Sequence, residues 1–246
     1  MFDFKDQRII ITGGTRGIGK AISQAFLKQG GTVIATYAGN DSAAQAFLSE
    51  NEACASRLEV RKFDVSKVDE VKTFFEYVGE KYPSIEVLVN NCGIRKDALL
   101  PMMKEENWKK VLEINLDGTF YMTKYAVKSF LRSRYGRIVN ISSIGGSIGL
   151  PGQANYSAAK AAQVAMGKSL SKEVAKKNIT VNSICPGFIQ TELVDDLPDS
   201  LVANYKEQIP MKRFGTVDEV AYGVLVMASK EASYINGASL EISGGL

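Results

Sequence analysis

Seven short apolar runs rich in β-branched residues recur along this chain, at Arg8–Ile11, Thr32–Thr36, Leu58–Phe63, Val87–Val89, Arg137–Ile141, Thr180–Ile184 and Ser239–Ile242. Such runs read as strands covered on both faces. Segments of helical period separate them: Gly17–Gln29, Ser42–Glu50, Val68–Tyr82, Lys104–Arg132 and Asn155–Lys177, with shorter ones at Asp199–Gln208 and Val217–Ala228. Strand and helix in alternation predict an α/β fold, a doubly wound seven-stranded parallel sheet with helices on both faces. No Pro/Gly/Ser-rich linker, repeat or low-complexity tract divides the 246 residues, so residues 1–246 read as a single domain.

Composition removes several chemistries. The chain has no histidine, which excludes a Ser-His-Asp hydrolase, a Cys-His protease and a His-based zinc site. Cys54, Cys92 and Cys185 are odd in number and far apart, so they suggest small core residues rather than a disulfide framework or a metal site. Acid–base work therefore falls to Tyr, Lys, Asp, Glu or Cys. A net charge of +3 is too small to argue for nucleic acid. No apolar run approaches the roughly 20 residues of a bilayer span, and the opening residues lack the basic-then-apolar order of a signal peptide. The expectation is no membrane segment and a cytoplasmic address.

Directly after the first strand comes Thr12-Gly-Gly-Thr-Arg-Gly-Ile-Gly19, and an amphipathic helix follows at once. Glycines let a ligand approach the backbone, and the free N–H groups of the helix start face an anion such as a pyrophosphate. The end of the second strand carries Thr36, where an enzyme using NAD would place an acid on the ribose hydroxyls. A neutral hydroxyl tolerates a 2′-phosphate, and Arg16 in the glycine turn is a cationic partner for one, so NADP(H) is the expected cofactor.

Further on, Asn140-Ile-Ser-Ser143 ends the fifth strand, and Tyr156-Ser-Ala-Ala-Lys160 opens a helix. Four residues is about one turn, which puts phenol and ammonium on one face. A nearby cation favours phenolate and is expected to bring the tyrosine's proton affinity towards a useful range.

In order and spacing, TGGTRGIG, NNCG at 90–93, Asn115 in INLDGTF, Ser143, YSAAK and PGFIQT at 186–191 resemble the motifs of the short-chain dehydrogenase/reductase family, over essentially the whole chain. Among its members the likeness is nearest to bacterial 3-oxoacyl-(acyl-carrier-protein) reductases. The resemblance implies a Rossmann-type fold and the following roles. Gly13, Gly17 and Gly19, with Thr15, Arg16 and Ile18, belong to the pyrophosphate turn; Asp64 and Val65 lie beside the adenine; Asn91 and Gly93 form the wall near the adenine ribose. Pro186, Gly187, Ile189 and Thr191 complete the cofactor-binding set with Thr36, Tyr156 and Lys160. Asn115 distorts a helix and holds a water that links Lys160 to solvent, Ser143 orients a carbonyl, Tyr156 donates the proton, and Lys160 contacts the nicotinamide ribose. No metal is implied. Cys92 departs from the alanine usual in NNAG.

The activity so implied is NADPH-dependent reduction of a 3-oxoacyl thioester on acyl carrier protein, with another carbonyl substrate, such as acetoacetyl-CoA, a sugar, a steroid or a quinone, as the alternative. A catalytically silent nucleotide-binding regulator is disfavoured by the intact Asn115, Ser143, Tyr156 and Lys160. Phe188, Ile189, Leu193, Val194 and Leu197 either line an acyl path or pack their segment onto the body. Lys124, Lys128 and Arg132, and again Lys168, Lys172 and Lys176, recur every fourth residue and read as solvated helix faces. With the family likeness, Arg134 and Lys177 just beyond them become candidates to flank the cleft and attract an acidic carrier. The family also implies a homotetramer.

Overall fold

The computed structural model describes residues 2–191 and 199–246. Among them, seven strands form one parallel sheet in the order β3-β2-β1-β4-β5-β6-β7. The strands are β1 Arg8–Thr12, β2 Thr32–Tyr37, β3 Leu58–Lys62, β4 Val87–Asn90, β5 Gly136–Ile141, β6 Ile179–Pro186 and β7 Ser239–Ile242. Order reverses between β1 and β4, and a crevice opens at such a switch point outside the carboxyl ends of the strands.

Alternation of side chains along each strand divides the core into two layers. Ile9 and Ile11 of β1 pack with Val33 of β2, with Ile22 and Phe26 of α1 (Gly17–Lys28), and with Val220 and Val224 of a helix near the C-terminus. Ile10, between them in sequence, faces the opposite layer with Ile34, Val71 and Phe74 of α3 (Val68–Lys81), and Met122 and Phe130 of α5 (Gly118–Ser133). The remaining helices are α2 (Asp41–Glu50), α4 (Glu105–Leu112), α6 (Gly145–Ile148), α7 (Ala154–Val174), α8 (Asp199–Gln208) and α9 (Val217–Ala228), the last being the C-terminal helix of the first layer.

The sequence pattern misses one feature near the crevice. A single helix was expected over Lys104–Arg132, but the chain runs as α4, a π-turn at Glu113–Asp117, and α5. Asn115, in the middle of the π-turn, directs its side chain away from the helix: its Oδ1 accepts from Ile94 N at 2.8 Å and its Nδ2 donates to Ile94 O at 3.0 Å. A residue that pairs with a neighbouring segment in this way is accommodated by one extra residue in the turn. The signal was present in Asn115, Asp117 and Gly118, weak helix formers close together inside a helical pattern.

Candidate active site

At the carboxyl end of β1 the chain turns through Gly13 and Gly14 into α1, whose N-terminus has neither a side-chain cap nor an acidic residue in its first turn. By contrast α9 is closed by a full capping box of Thr216 and Glu219. The α1 N–H groups are thus left for an external anion. The glycines differ in purpose. Gly17 has a positive φ of 52°, and a Cβ there would meet nothing within 4 Å, so its place is an open cradle. Gly19 is enclosed: a Cβ would stand 2.0 Å from the Gly13 carbonyl oxygen and 2.5 Å from Asn91 Nδ2.

Asn91 fastens this turn to the end of β4 by donating from Nδ2 to the carbonyls of Thr12 and Gly13, at 3.0 and 3.1 Å. Thr12 answers with its hydroxyl, which accepts from the N–H groups of Asn91 and Cys92 at 2.9 and 3.0 Å. The two strand ends at the switch point are therefore stitched in both directions. Sequence reasoning passed over Thr12; its signal was a threonine closing an otherwise apolar strand.

Tyr156 and Lys160 do leave α7 on one face, with the Lys160 ammonium 5.5 Å from the Tyr156 ring centre. Their electrostatics differ from expectation. Lys160 is 3% exposed and donates to the Ile141 carbonyl of β5 at 2.7 Å, and burial brings its pKa down to about 8. Tyr156 is pushed up, not down, because burial outweighs the Ser143 hydroxyl that hydrogen-bonds its phenol and the opposed charges of Arg95 and Asp97. Withdrawing both groups from water disfavours each charged form, and the ammonium is turned to a main-chain oxygen instead of the phenol. The tyrosine is held as a protonated phenol, the form a proton donor needs.

Ser143 follows β5, and its Oγ accepts from Gly145 N at 3.0 Å. Asn155 was also missed: its Oδ1 accepts from Tyr156 N at 2.7 Å and its Nδ2 donates to Lys96 O at 3.0 Å, which ties the start of α7 to the segment after β4. Gly93 in that segment leaves the space between Asn115 and Lys160 clear, since a Cβ would lie 3.3 Å from Asn115 Oδ1 and 3.5 Å from Lys160 Nζ. The Cys92 thiol is pushed up by burial, which keeps it protonated and argues against a reactive role. Among the described residues no cluster of Cys, Asp and Glu is arranged to hold a metal ion.

Residues 13–246 match the family model described as Enoyl-(Acyl carrier protein) reductase, one of the short-chain dehydrogenase/reductase group. This chain belongs to the short-chain dehydrogenase/reductase family. It is 42% identical over 237 residues to the 3-oxoacyl-(acyl-carrier-protein) reductase FabG of Thermotoga maritima, covering 96% of both chains. It is 40% identical over 237 residues to the FabG of Staphylococcus epidermidis strain RP62A, covering 96% of this chain and 97% of that one. It is also 46% identical over 238 residues to the acetoacetyl-CoA reductase of Shinella zoogloeoides, covering 96% of both. It is accordingly an oxidoreductase.

In this short-chain dehydrogenase/reductase the residues singled out from sequence fall at one edge of the sheet, with exceptions. Asp64 and Val65 follow β3, where Asp64 Oδ1 accepts from Ser66 N and Oγ at 2.9 and 2.8 Å, and Asn91 and Gly93 follow β4. Pro186 ends β6, Gly187 donates to Ile242 O at 2.9 Å, and Ile189 is buried in the core with a bridge to Gly215. Phe188 stacks on Tyr205 of α8 at 4.6 Å, so Phe188 and Ile189 pack their segment onto the body. Leu193, Val194 and Leu197 lie outside the described residues. Thr36 closes the buried part of β2 at 1% exposure, its carbonyl accepts from Gly14 N of the glycine turn at 3.0 Å, and Tyr37 beside it is half-buried.

Arg134 and Lys177 do not flank the cleft of their own chain. Both are exposed and lie close together, one preceding β5 and the other β6, whose first residues Gly136 and Ile179 are paired. Ser143 lies past the other end of β5, a strand of six residues and about 20 Å. The lysine stripes of α5 and α7 are exposed throughout, as solvated faces should be. No helix among the described residues is long and apolar enough to cross a membrane.

Proposed function

We propose that this enzyme reduces the 3-oxo group of an acyl thioester, carried on acyl carrier protein, with NADPH as reductant. The reading is carried by the Tyr156 phenol, pushed up by burial, lying beside the Ser143 hydroxyl at the carboxyl end of β5. Two hydroxyls converging on one point suit a single carbonyl oxygen. Ser143 orients that oxygen, Tyr156 gives it a proton as negative charge develops, and the buried Lys160 charge favours the phenolate left behind. Bound along the glycine turn, the nicotinamide cofactor supplies the hydride.

The uncapped start of α1 and the open cradle at Gly17 fit a pyrophosphate, held by Gly13, Thr15, Gly17, Ile18 and Gly19. Asp64 and Val65 take the adenine side, Asn91 and Gly93 the ribose wall, and Pro186, Gly187, Ile189 and Thr191 the far end with Tyr156 and Lys160. Selection of NADPH is supported by Arg16, which is exposed and makes no ion pair among the described residues. Asp41, four residues beyond Tyr37 at the end of β2, is engaged by Lys62 Nζ at 2.7 Å and the Tyr37 hydroxyl at 3.0 Å, and both hold it below the usual carboxylate range. A 2′-phosphate there meets two cations and no free acid.

Assembly as a cytoplasmic homotetramer is supported by Phe120 and Leu131 on α5, at 45% and 43% exposure, and by the open edge strand β7 with Leu240. The Shinella relative supports a second reading, acetoacetyl-CoA as substrate. One experiment tests these readings: oxidation of NADPH and NADH with acetoacetyl groups on carrier protein and on CoA, for the wild type and Tyr156→Phe. The variant is expected to bind NADPH normally and to lose at least about 100-fold in turnover; near-normal turnover overturns the assignment, and a preference for the CoA ester favours the second reading.

A further inference from the structure

Helices α3 and α5 run side by side and leave a groove of about 590 Å³ between them, within the size range of small-molecule sites. Buried Val78 and Ile85 and the half-buried rings of Phe75, Tyr82 and Tyr125 give it an apolar lining. Phe75 and Tyr125 stack from one helix to the other at 5.9 Å, with ring planes 22° apart. Ser84 and Ile85 line the groove just before β4, so it lies toward the amino ends of the strands, whereas the candidate active site stands at their carboxyl ends. Its charge is one-sided. Lys72, Lys128 and Arg132 line it against a single acid, Glu76, which Lys72 of the same helix engages at 3.9 Å. Lys128 and Arg132 stand one turn apart on α5, and neither forms an ion pair among the described residues; Arg132 donates from Nε to the Lys128 carbonyl at 3.4 Å. Lys128 Nζ lies 4.9 Å from the centre of the Tyr125 ring, which brings the free cation beside the aromatic wall.

A second observation is Gly79, in the last turn of α3 and lining the same groove. It has no positive φ and stands inside the helix, which ends at Lys81, so it serves neither a turn nor a cap, and glycine at such a place weakens a helix relative to alanine. Packing within the chain does not require it either, since a Cβ there would meet nothing within 4 Å. What the missing side chain does is keep the groove open. We propose that the groove between α3 and α5 binds a small amphipathic anion, a planar ring system that carries a phosphate or a carboxylate. The ring lies over Gly79 against Phe75, Tyr82 and Tyr125, and the oxyanion is held by Lys128 and Arg132. The site is separate from the glycine turn and from Tyr156, and it stands whichever carbonyl the enzyme reduces.

The probe is 1-naphthyl phosphate, titrated calorimetrically into the full chain with nicotinamide nucleotide at saturation, beside inorganic phosphate and 1-naphthol as its two halves. One equivalent per chain is expected, bound at least about tenfold more tightly than either half. Gly79→Leu puts a side chain into the groove, favours the helix and meets open space, so its melting temperature should match or exceed that of the wild type while probe binding falls at least about tenfold. Lys128→Glu combined with Arg132→Glu should weaken the probe to a similar degree and leave 1-naphthol unaffected. All of these residues lie outside the candidate active site, and turnover without the probe should stay at the wild-type level in every variant. Inorganic phosphate binding as tightly as the naphthyl ester overturns the proposal, as does undiminished binding by Gly79→Leu. A change of oligomeric state in Gly79→Leu, read by sedimentation, overturns it too, because the groove would then be a contact between copies of the chain.

Discussion

Alanine at position 19 separates packing from binding in the glycine turn. The added methyl would lie 2.0 Å from the Gly13 carbonyl oxygen and 2.5 Å from Asn91 Nδ2, whereas unstrained carbon–oxygen contacts lie near about 3.3 Å. The turn must open by more than about 1 Å, an overpacking cost of about 1–3 kcal/mol. Opening it also breaks the Asn91 hydrogen bonds to Thr12 and Gly13, each worth about 1 kcal/mol. Relief from the less flexible unfolded chain returns about 0.4–1 kcal/mol, leaving a net loss of about 3 kcal/mol. Gly17→Ala meets nothing within 4 Å and has only its φ of 52° to contend with, a strain of about 1–2 kcal/mol offset by the same relief. Urea unfolding and melting without nucleotide should show Gly19→Ala down by about 6–12 °C and Gly17→Ala by no more than about 4 °C. In an NADPH fluorescence titration, however, Gly17→Ala is expected to bind at least about tenfold more weakly, since its methyl fills the cradle. Equal stability of the two variants, or a Gly19→Ala as stable as wild type, would refute the division of labour.

Three further outcomes follow from the charges. Because burial holds Lys160 at about 8 in the folded protein against 10.5 in the open chain, the folded state binds fewer protons between those values, and wild-type stability rises with pH across that window. Lys160→Met should be flat there, inactive, and more stable than wild type at pH 7 by up to about 3 kcal/mol, less what the Ile141 carbonyl loses; a variant less stable than wild type at pH 7 contradicts the burial argument. For Glu59, burial alone would raise the carboxyl, but Tyr77, Lys81, Tyr82 and Arg61 together hold it at about 2. Its contribution is complete above pH 4.5 and disappears as pH falls towards 2, so Glu59→Gln should cost about 1–2 kcal/mol at pH 7 and little at pH 2.5, read from denaturant midpoints. Arg16→Glu should raise KM for NADPH at least about tenfold and leave KM for NADH nearly unchanged; an equal rise for both would remove Arg16 from 2′-phosphate recognition.

Much of this architecture was legible because it is written in short-range spacing. All seven strands were placed to within two residues at each end, as were the starts of α1, α2, α3 and α7. The helix over Lys104–Arg132 was not, because the cause of its break is the main chain of Ile94, distant in sequence from Asn115 and adjacent in space.

The order of apolar runs, the glycine turn and the Tyr156–Lys160 spacing determined the fold class, the anion-binding turn and the pair of reacting groups, because period and local geometry are properties of neighbours along the chain. Tertiary structure alone decided the protonation states of that pair and the side of the sheet on which Arg134 and Lys177 stand. Desolvation and through-space distance belong to the packed molecule, and no stretch of sequence contains them.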